Sequence, residues 1–461
     1  MRLRILTAAL LAFAMLPSAS AAPPPSRTVV FRGGRVLDGS GGAPLENAAV
    51  VVRDGRIVSV GPADKAKVPK GAEVIDFAGK TLLPGLISDH SHVGQTVGTT
   101  VGSQNYTREN IERQLRQFAA YGVTTVTALG MNRPLFNEVR KQAHADTFTG
   151  ADLFGAGQGI GVPEGGPPQA MTNNAPDQLF RPATAEEARA AVRTLAKNRV
   201  DLVKVWVDSF LGKVPKMKPD IYQAVIDESH KQGLRVAAHI HDLEDARAVV
   251  AVGVDIIAHG VRDQPVDAAF IQEMKKRGVW YVPTLELDEA TVVYADLPTL
   301  VDDPLLAPAL SPELRAQFQD AAWRKKTLED PKADEARHAL STNQTNLKAL
   351  YDAGVKVGFG TDSGATPLRI PGYAEHRELK LMVIAGLTPV QALAVATGNA
   401  ADLLKLKDRG RIAPGRRADL LLVEGDPSTD ITAVDRIASV WRQGRQVAGP
   451  LTGTAQPAPQ P

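Results

Sequence analysis

The sequence predicts an α/β chain whose main body is a (β/α)8 barrel, accompanied by a second, smaller domain. Three observations predict it. Short apolar runs rich in β-branched residues recur at 82–87, 122–128, 202–207, 236–238, 256–258 and 279–284. Such runs read as strands buried on both faces, as in a parallel sheet. Segments with helical patterning separate most of them, which is the alternation of α/β folds. Several runs also end in a side chain able to hold a metal, and the C-terminal strand ends of such a barrel are where its chemistry sits. At 461 residues the chain far exceeds the about 250 of a typical barrel, so a second domain is expected.

The N-terminus comes first. Arg2 and Arg4 precede an apolar run at 5–16, the small residues Ala19-Ser20-Ala21, and prolines at 23–25. That order is the pattern of a secretory signal peptide, residues 1–21, cleaved after Ala21 and directing the chain to the periplasm or the medium. The run is too short to span a bilayer. Residues 50–60 then read as a hairpin turning at Asp54-Gly55. A similar shape recurs at 439–447 after a strand at 419–423, and the Pro-, Gly- and Gln-rich tail 450–461 is expected to be disordered.

Between these ends, a helix is expected at 109–121, a second strand at 122–128 and a third at 152–156. The glycine- and proline-rich stretch 157–176 is long for a connection. It reads either as a lid over the site or as a surface insertion. Thr184 with Glu187 marks the start of a helix at 184–197. Helices at 221–232, 243–252 and 268–277 keep the rhythm, and 286–346 is a mostly helical insertion before the eighth strand. Thr388-Pro389 opens the helix that closes the series. There is no cysteine, so disulfides and thiolate ligands are excluded and any metal takes N and O donors. With 53 basic against 51 acidic residues and no basic block, neither nucleic acid nor an anionic membrane is indicated as a partner.

The chemistry gathers at the strand ends. The first run leads into Asp89-His90-Ser91-His92. Residues two apart on a strand face one side, so His90 and His92 offer two imidazoles to one point. His239 and His259 close two later runs, and Asp362 follows Gly358-Phe359-Gly360-Thr361. Lys204 lies inside Leu202-Val203-Lys204-Val205-Trp206-Val207. An ammonium is costly to bury there, and burial drives it toward the neutral amine. The alternatives are a side chain that snorkels outward or pairs with Asp201 or Asp208. The ordered set, from His-x-His through Lys, His and His to Asp, resembles the amidohydrolase superfamily over about residues 29–447. Its secreted imidazolonepropionase-like and Xaa-Pro-dipeptidase-like members are the nearest in pattern.

The resemblance implies a small β-sandwich made from both chain ends, 22–83 and 406–449, beside a metal-dependent TIM barrel at 84–405. It implies two divalent ions, zinc foremost, with His90, His92 and Asp362 on the first and His239 and His259 on the second. Lys204, carboxylated by CO2, would bridge them. The implied reaction is hydrolysis of an amide bond in a dipeptide or N-acyl amino acid, with Asp362 moving the proton of the attacking water. A one-metal hydrolase or deaminase of cyclic amidines, the imidazolonepropionase type, does not need Lys204. A non-catalytic binding protein on a retired barrel needs none of these donors. His241, Arg369 and His376 lie within reach of strand ends as contacts to a small-molecule substrate. The oligomeric state, a homo-oligomer included, is open. The chain departs from the family pattern Ile-Asp-x-His-x-His in one place. Ser88 stands in the acidic position, and Asp89, one residue on, belongs to the opposite face of a strand.

Overall fold

The computed structural model describes residues 27–145 and 147–451. The expected signal peptide, and residues 452–461 of the expected disordered tail, lie outside the described residues.

Both chain ends build one eight-stranded sheet. Thr28–Val36, Leu45–Arg53, Arg56–Pro62, Glu73–Asp76 and Lys80–Pro84 come from the N-terminal side. Leu420–Glu424, Ile437–Arg442 and Arg445–Ala448 come from the other. The halves join where Lys80–Pro84 pairs antiparallel with Leu420–Glu424. The first hairpin turns at Asp54 and Gly55, with φ of 48° and 77°, the two left-handed residues a tight hairpin demands. The expected pair of facing sheets is instead a single hydrogen-bonded path. Phe31 and Trp441 stand three strands apart along it, about 14 Å if the sheet were flat, yet their ring centroids are 5.1 Å apart. The sheet therefore doubles over its own core, which Val50, Phe77, Leu82 and Leu420 share.

Eight parallel strands carry the main body: β1 (Leu86–Ser91), β2 (Val123–Ala128), β3 (Asp152–Gly155), β4 (Val203–Trp206), β5 (Val236–His239), β6 (Ile256–Ile257), β7 (Trp280–Tyr281) and β8 (Lys356–Val357). β1 to β3 form one ladder and β4 to β8 another. The bridges Ile160–Val205 and Ser91–Ser363 cross the two seams between them. Backbone hydrogen bonds reinforce both, from Ile160 N to Lys204 O at 2.8 Å and from His92 N to Ser363 O at 2.7 Å. The strands thus form two parallel arcs stitched at two seams, rather than one unbroken ladder. Gly360 is required at the second seam, since a Cβ there would lie 2.6 Å from the Cβ of His90.

Helices pack amphipathically on these arcs. Ala185–Lys197 starts as expected, with Thr184 Oγ1 accepting from Glu187 N at 3.3 Å. Glu187 reaches back to Ala183 N rather than to Thr184 N, which completes the cap one residue early. The 286–346 insertion has its own core, where Tyr294 stacks on Phe318 at 4.2 Å and packs with Tyr121 and Tyr373. Its last helix, Pro331–Asp352, continues past the expected end and delivers the chain to β8.

One buried carboxylate fastens the end sheet to the arcs. Asp152, at the start of β3, pairs with Arg409, Arg417 and Arg442. Burial alone would raise its carboxyl, but the three guanidiniums outweigh it and bring it down to about 2. Arg442 also donates to the carbonyls of Ala143 and Phe148.

Candidate metal centre

The polar ends of the strands converge on a single row of imidazoles. His90, on β1, has its ring centroid 5.6 Å from His92 and 4.5 Å from His259, which lies 4.4 Å from His239. Nε2 of His90 and Nε2 of His92 stand 3.1 and 3.0 Å from the same oxygen, Asp362 Oδ1. Neither ring nitrogen of His90 has a hydrogen-bond partner among the described residues, despite that short distance. The groups are aimed at a shared point rather than at each other, which is the arrangement of ligands around a cation. His92 donates Nδ1–H to Gly130 O at 3.3 Å, which leaves the Nε2 lone pair facing the site. His259 Nδ1 meets Thr284 Oγ1 at 3.0 Å. Thr284 holds a φ of 50°, a costly left-handed conformation for a β-branched residue of the kind that collects at functional sites.

Electrostatics favours the neutral, ligating form of His90, His239 and His259. Burial, and then the Lys204 amine, lower His90 to about 3. Burial also holds His239 below the usual range and His259 well below it. Asp362 stays ionised: burial opposes this, but Arg369, His92 and His90 hold it well below the usual carboxylate range.

Lys204 is fully buried and its Nζ has no hydrogen-bond partner among the described residues. It lies 5.4 Å from the ring centroid of Trp206. Burial brings its amine down to about 7, against the pull of Asp362 and Asp208.

The compact group able to hold a cation, among the described residues, is His90, His92 and Asp362. His239 is looser, with Nε2 3.2 Å from Asp208 Oδ1 and its ring stacked on Phe210 at 4.9 Å. The donors are nitrogen and carboxylate oxygen, the set that suits zinc, manganese or cobalt.

Above the row opens a cavity of about 990 Å³, lined by His92, His239 and Asp362 at its floor. Its walls include Pro167, Pro168 and Met171 of the 157–176 stretch and Leu287, Asp288 and Lys332 of the insertion. Both segments therefore shape the site. His241 lines it too, with Nδ1 2.7 Å from Asp242 Oδ1. Arg369 lines it while pairing with Asp362 Oδ2.

His376 does not reach it. It lies in the helix Tyr373–Ile384 on the face toward Tyr121, fully buried, with Nδ1 2.9 Å from Asp435 Oδ1 and Nε2 2.8 Å from Tyr121 O. Both ring nitrogens are spent on the fold, so the expected substrate contact is replaced by a structural one.

Sequence reasoning missed three residues of the site. Asp208 is one, although 204, 206 and 208 share a strand's period. Arg262 and Asp288 are the others, buried on the cavity and paired at 3.2 Å. Asp89 does not take the place of the acid missing at 88. Its Oδ2 accepts from Phe359 N at 3.0 Å within the second seam.

Comparison with known proteins agrees with this arrangement. A model of the amidohydrolase family matches residues 81–447. The 5-methylthioadenosine/S-adenosylhomocysteine deaminase of Bacillus cytotoxicus is 23% identical over 416 residues, covering 86% of this chain and 85% of its own. Among solved structures, a Xaa-Pro dipeptidase with bound methionine in its active site superposes with a TM-score of 0.72 at 23% identity, over 91% of this chain and 99% of that one. The A. niger ochratoxinase does so with 0.69 at 21%, over 92% and 96%. These two likenesses speak to the fold. The matched family model and the converging His-His-Asp group together place this chain in the amidohydrolase family of metal-dependent enzymes that act on carbon–nitrogen bonds.

Proposed function

We propose that this protein is a binuclear metal-dependent hydrolase of amide bonds, acting on a dipeptide or an N-acyl amino acid. Lys204 carries this reading. An unmodified amine, buried without a partner beside His90, His239 and His259, costs free energy and holds nothing in place. The neutral amine can combine with CO2 to give a carbamate with loss of one proton, and that anion would help to hold two cations. His90, His92 and Asp362 would hold one ion and His239 and His259 the other. Bound there, such ions acidify water and polarise an amide carbonyl. Asp362 Oδ1 takes the proton of the attacking water and delivers it to the leaving amine. Arg369, on Oδ2, keeps that carboxylate ionised and oriented.

The cavity supports a substrate with two unlike ends. Arg262 and Arg369, with side chains 7% and 12% exposed, present guanidiniums on the β6–β8 side, where a planar carboxylate fits. Trp206, Phe210 and Met131 line the β2–β4 side and suit an apolar acyl group or side chain. We read the two arcs as one (β/α)8 barrel interrupted at its seams, and the doubled end sheet as the small sandwich domain. We also assign the chain to the periplasm or medium from its leader. N-terminal sequencing of exported protein should begin at Ala22, and a retained Met1 would overturn that assignment.

A panel of dipeptides and N-acyl amino acids, offered to the metal-loaded protein, tests the main reading. Free amino acid should be released, with two metal ions per chain. The deaminase named for the Bacillus relative is the second reading, since His90, His92 and Asp362 alone make a one-metal site. Ammonia released from 5-methylthioadenosine by protein carrying one ion per chain would replace the first reading with this one. Within the hydrolase reading, Asp362→Asn keeps an oxygen donor but loses the base. Turnover should fall by at least about 100-fold, the scale of general acid–base loss, with a smaller loss of metal. Near-normal turnover with metal retained would remove Asp362 from the proton path.

A further inference from the structure

We infer that Glu375 is a positioning residue for the metal centre, supplying from a helix the carboxylate that position 88 lacks. The inference rests on the proposed role of His90, His92 and Asp362 as metal ligands. Glu375 stands in the first turn of the helix Tyr373–Ile384 and is 0% exposed. Its Oε1 accepts hydrogen bonds from three hydroxyls: Ser88 at 3.1 Å, Thr361 at 2.8 Å and Ser363 at 2.8 Å. Its Oε2 accepts from Gly372 N at 2.8 Å. Burial raises this carboxyl, and the donors from Thr361, Ser363 and Gly372 oppose the rise by hydrogen-bonding to the anion.

Those hydroxyls belong to the two segments that carry the cation-binding group. Ser88 precedes His90 by two residues on β1, and Thr361 and Ser363 flank Asp362. Asp362 itself has a φ of 61°, a left-handed conformation that persists only where the surroundings over-determine it. Thr361 Oγ1 also accepts from Ser363 N at 3.1 Å, so hydrogen bonds hold the residue on both sides. One side chain thus ties His90 and Asp362 to a common anchor. It also accounts for serine at 88. An aspartate there would set a second carboxylate against Glu375 in the same dry space, where like charges repel, whereas serine donates a hydrogen bond.

The test measures Zn2+ affinity of the folded protein by competition with a chelator. Glu375→Ser should weaken binding by about 10- to 100-fold, the scale of lost support behind a ligand, and lower kcat with KM little changed. Ser88→Asp alone should also weaken it. Combining Ser88→Asp with Glu375→Ser puts one carboxylate and one hydroxyl back in the same place from exchanged elements, and should recover at least about tenfold of the loss. Unchanged Zn2+ affinity in folded Glu375→Ser, with only Tm reduced, would make Glu375 merely structural and overturn the inference. A double variant no tighter than Glu375→Ser would overturn it as well. Should Glu375→Ser not fold, Thr361→Val and Ser363→Ala each remove one donor and should still weaken Zn2+ binding several-fold. Wild-type affinity in both would again overturn it. A His90→Ala protein that binds Zn2+ as tightly as wild type would instead bring down the ligand assignment on which the inference stands.

Discussion

Lys204→Ala is expected to lose metal and activity together while keeping its fold. Removing the proposed bridge takes a ligand from both ions at once and leaves their mutual repulsion uncompensated. Metal content should fall below one ion per chain, and amide hydrolysis by at least about 100-fold, since activation of water and polarisation of the carbonyl are lost together. The side chain is wholly buried and its amine bonds to nothing, so stability should not follow activity down. Lys204→Met, which fills the same volume without an amine to desolvate, should have a Tm equal to or above that of the parent. Lys204→Arg should be as inactive as alanine, because a guanidinium stays protonated and forms no carbamate. Metal-stripped wild type should regain activity faster with bicarbonate than in CO2-depleted buffer. A fully metallated, active Lys204→Ala protein would refute the bridge and leave the one-metal deaminase reading standing.

The second large effect concerns stability. Asp152→Asn should cost about 3–5 kcal/mol in urea unfolding, the range for removing one partner of a buried ion pair. The loss takes a shared partner from Arg409, Arg417 and Arg442, whose side chains are 6%, 11% and 2% exposed. The pH dependence has a definite sign. The native carboxyl sits at about 2, below its unfolded value of 3.8. Its contribution is therefore fully present above about pH 5, and is lost as pH falls through 4 toward 2. By linkage that loss amounts to about 2 kcal/mol, and the asparagine variant should lack this component. The stability cost of the mutation exceeds the linkage figure because it also removes the one carboxylate the three guanidiniums share, leaving Arg409 with Asp408, Arg417 with Asp419 and Arg442 with carbonyls alone. Asp152 begins β3 whereas the imidazoles gather at strand ends, so turnover of the folded variant should stay near normal. An unchanged urea midpoint would mean that Asp408 and Asp419 suffice as counter-charges for the cluster.

The positions His90, His92, Lys204, His239, His259 and Asp362 were legible because each closes, or sits in, an apolar run whose period is two. The structure brings their side chains to one place, with the first two and Asp362 most tightly grouped. Residues set by tertiary contact were not legible. Arg262 faces the cavity from a loop and Asp288 from the one-turn helix Glu286–Glu289, both too short or irregular for a periodicity to mark a direction, and Glu375 reaches the centre from a helix. His376 shows the converse. It follows the last strand closely in sequence, but the helix turns it toward Tyr121 and away from the site. In place of the sandwich expected for the ends there is one hydrogen-bonded sheet, because hydropathy marks strands without revealing that one continuous path folds over on itself.

That path has a consequence for biosynthesis. Lys80–Pro84 finds its antiparallel neighbour in Leu420–Glu424, and the ion pair of Lys80 with Glu424 spans 344 residues. During translation the earlier strand must wait, with one edge unpaired, until almost the whole chain has emerged. Premature termination anywhere before residue 420 would leave that apolar edge open as a template for other chains. Completion of the end sheet therefore waits for residues 420–424 to emerge.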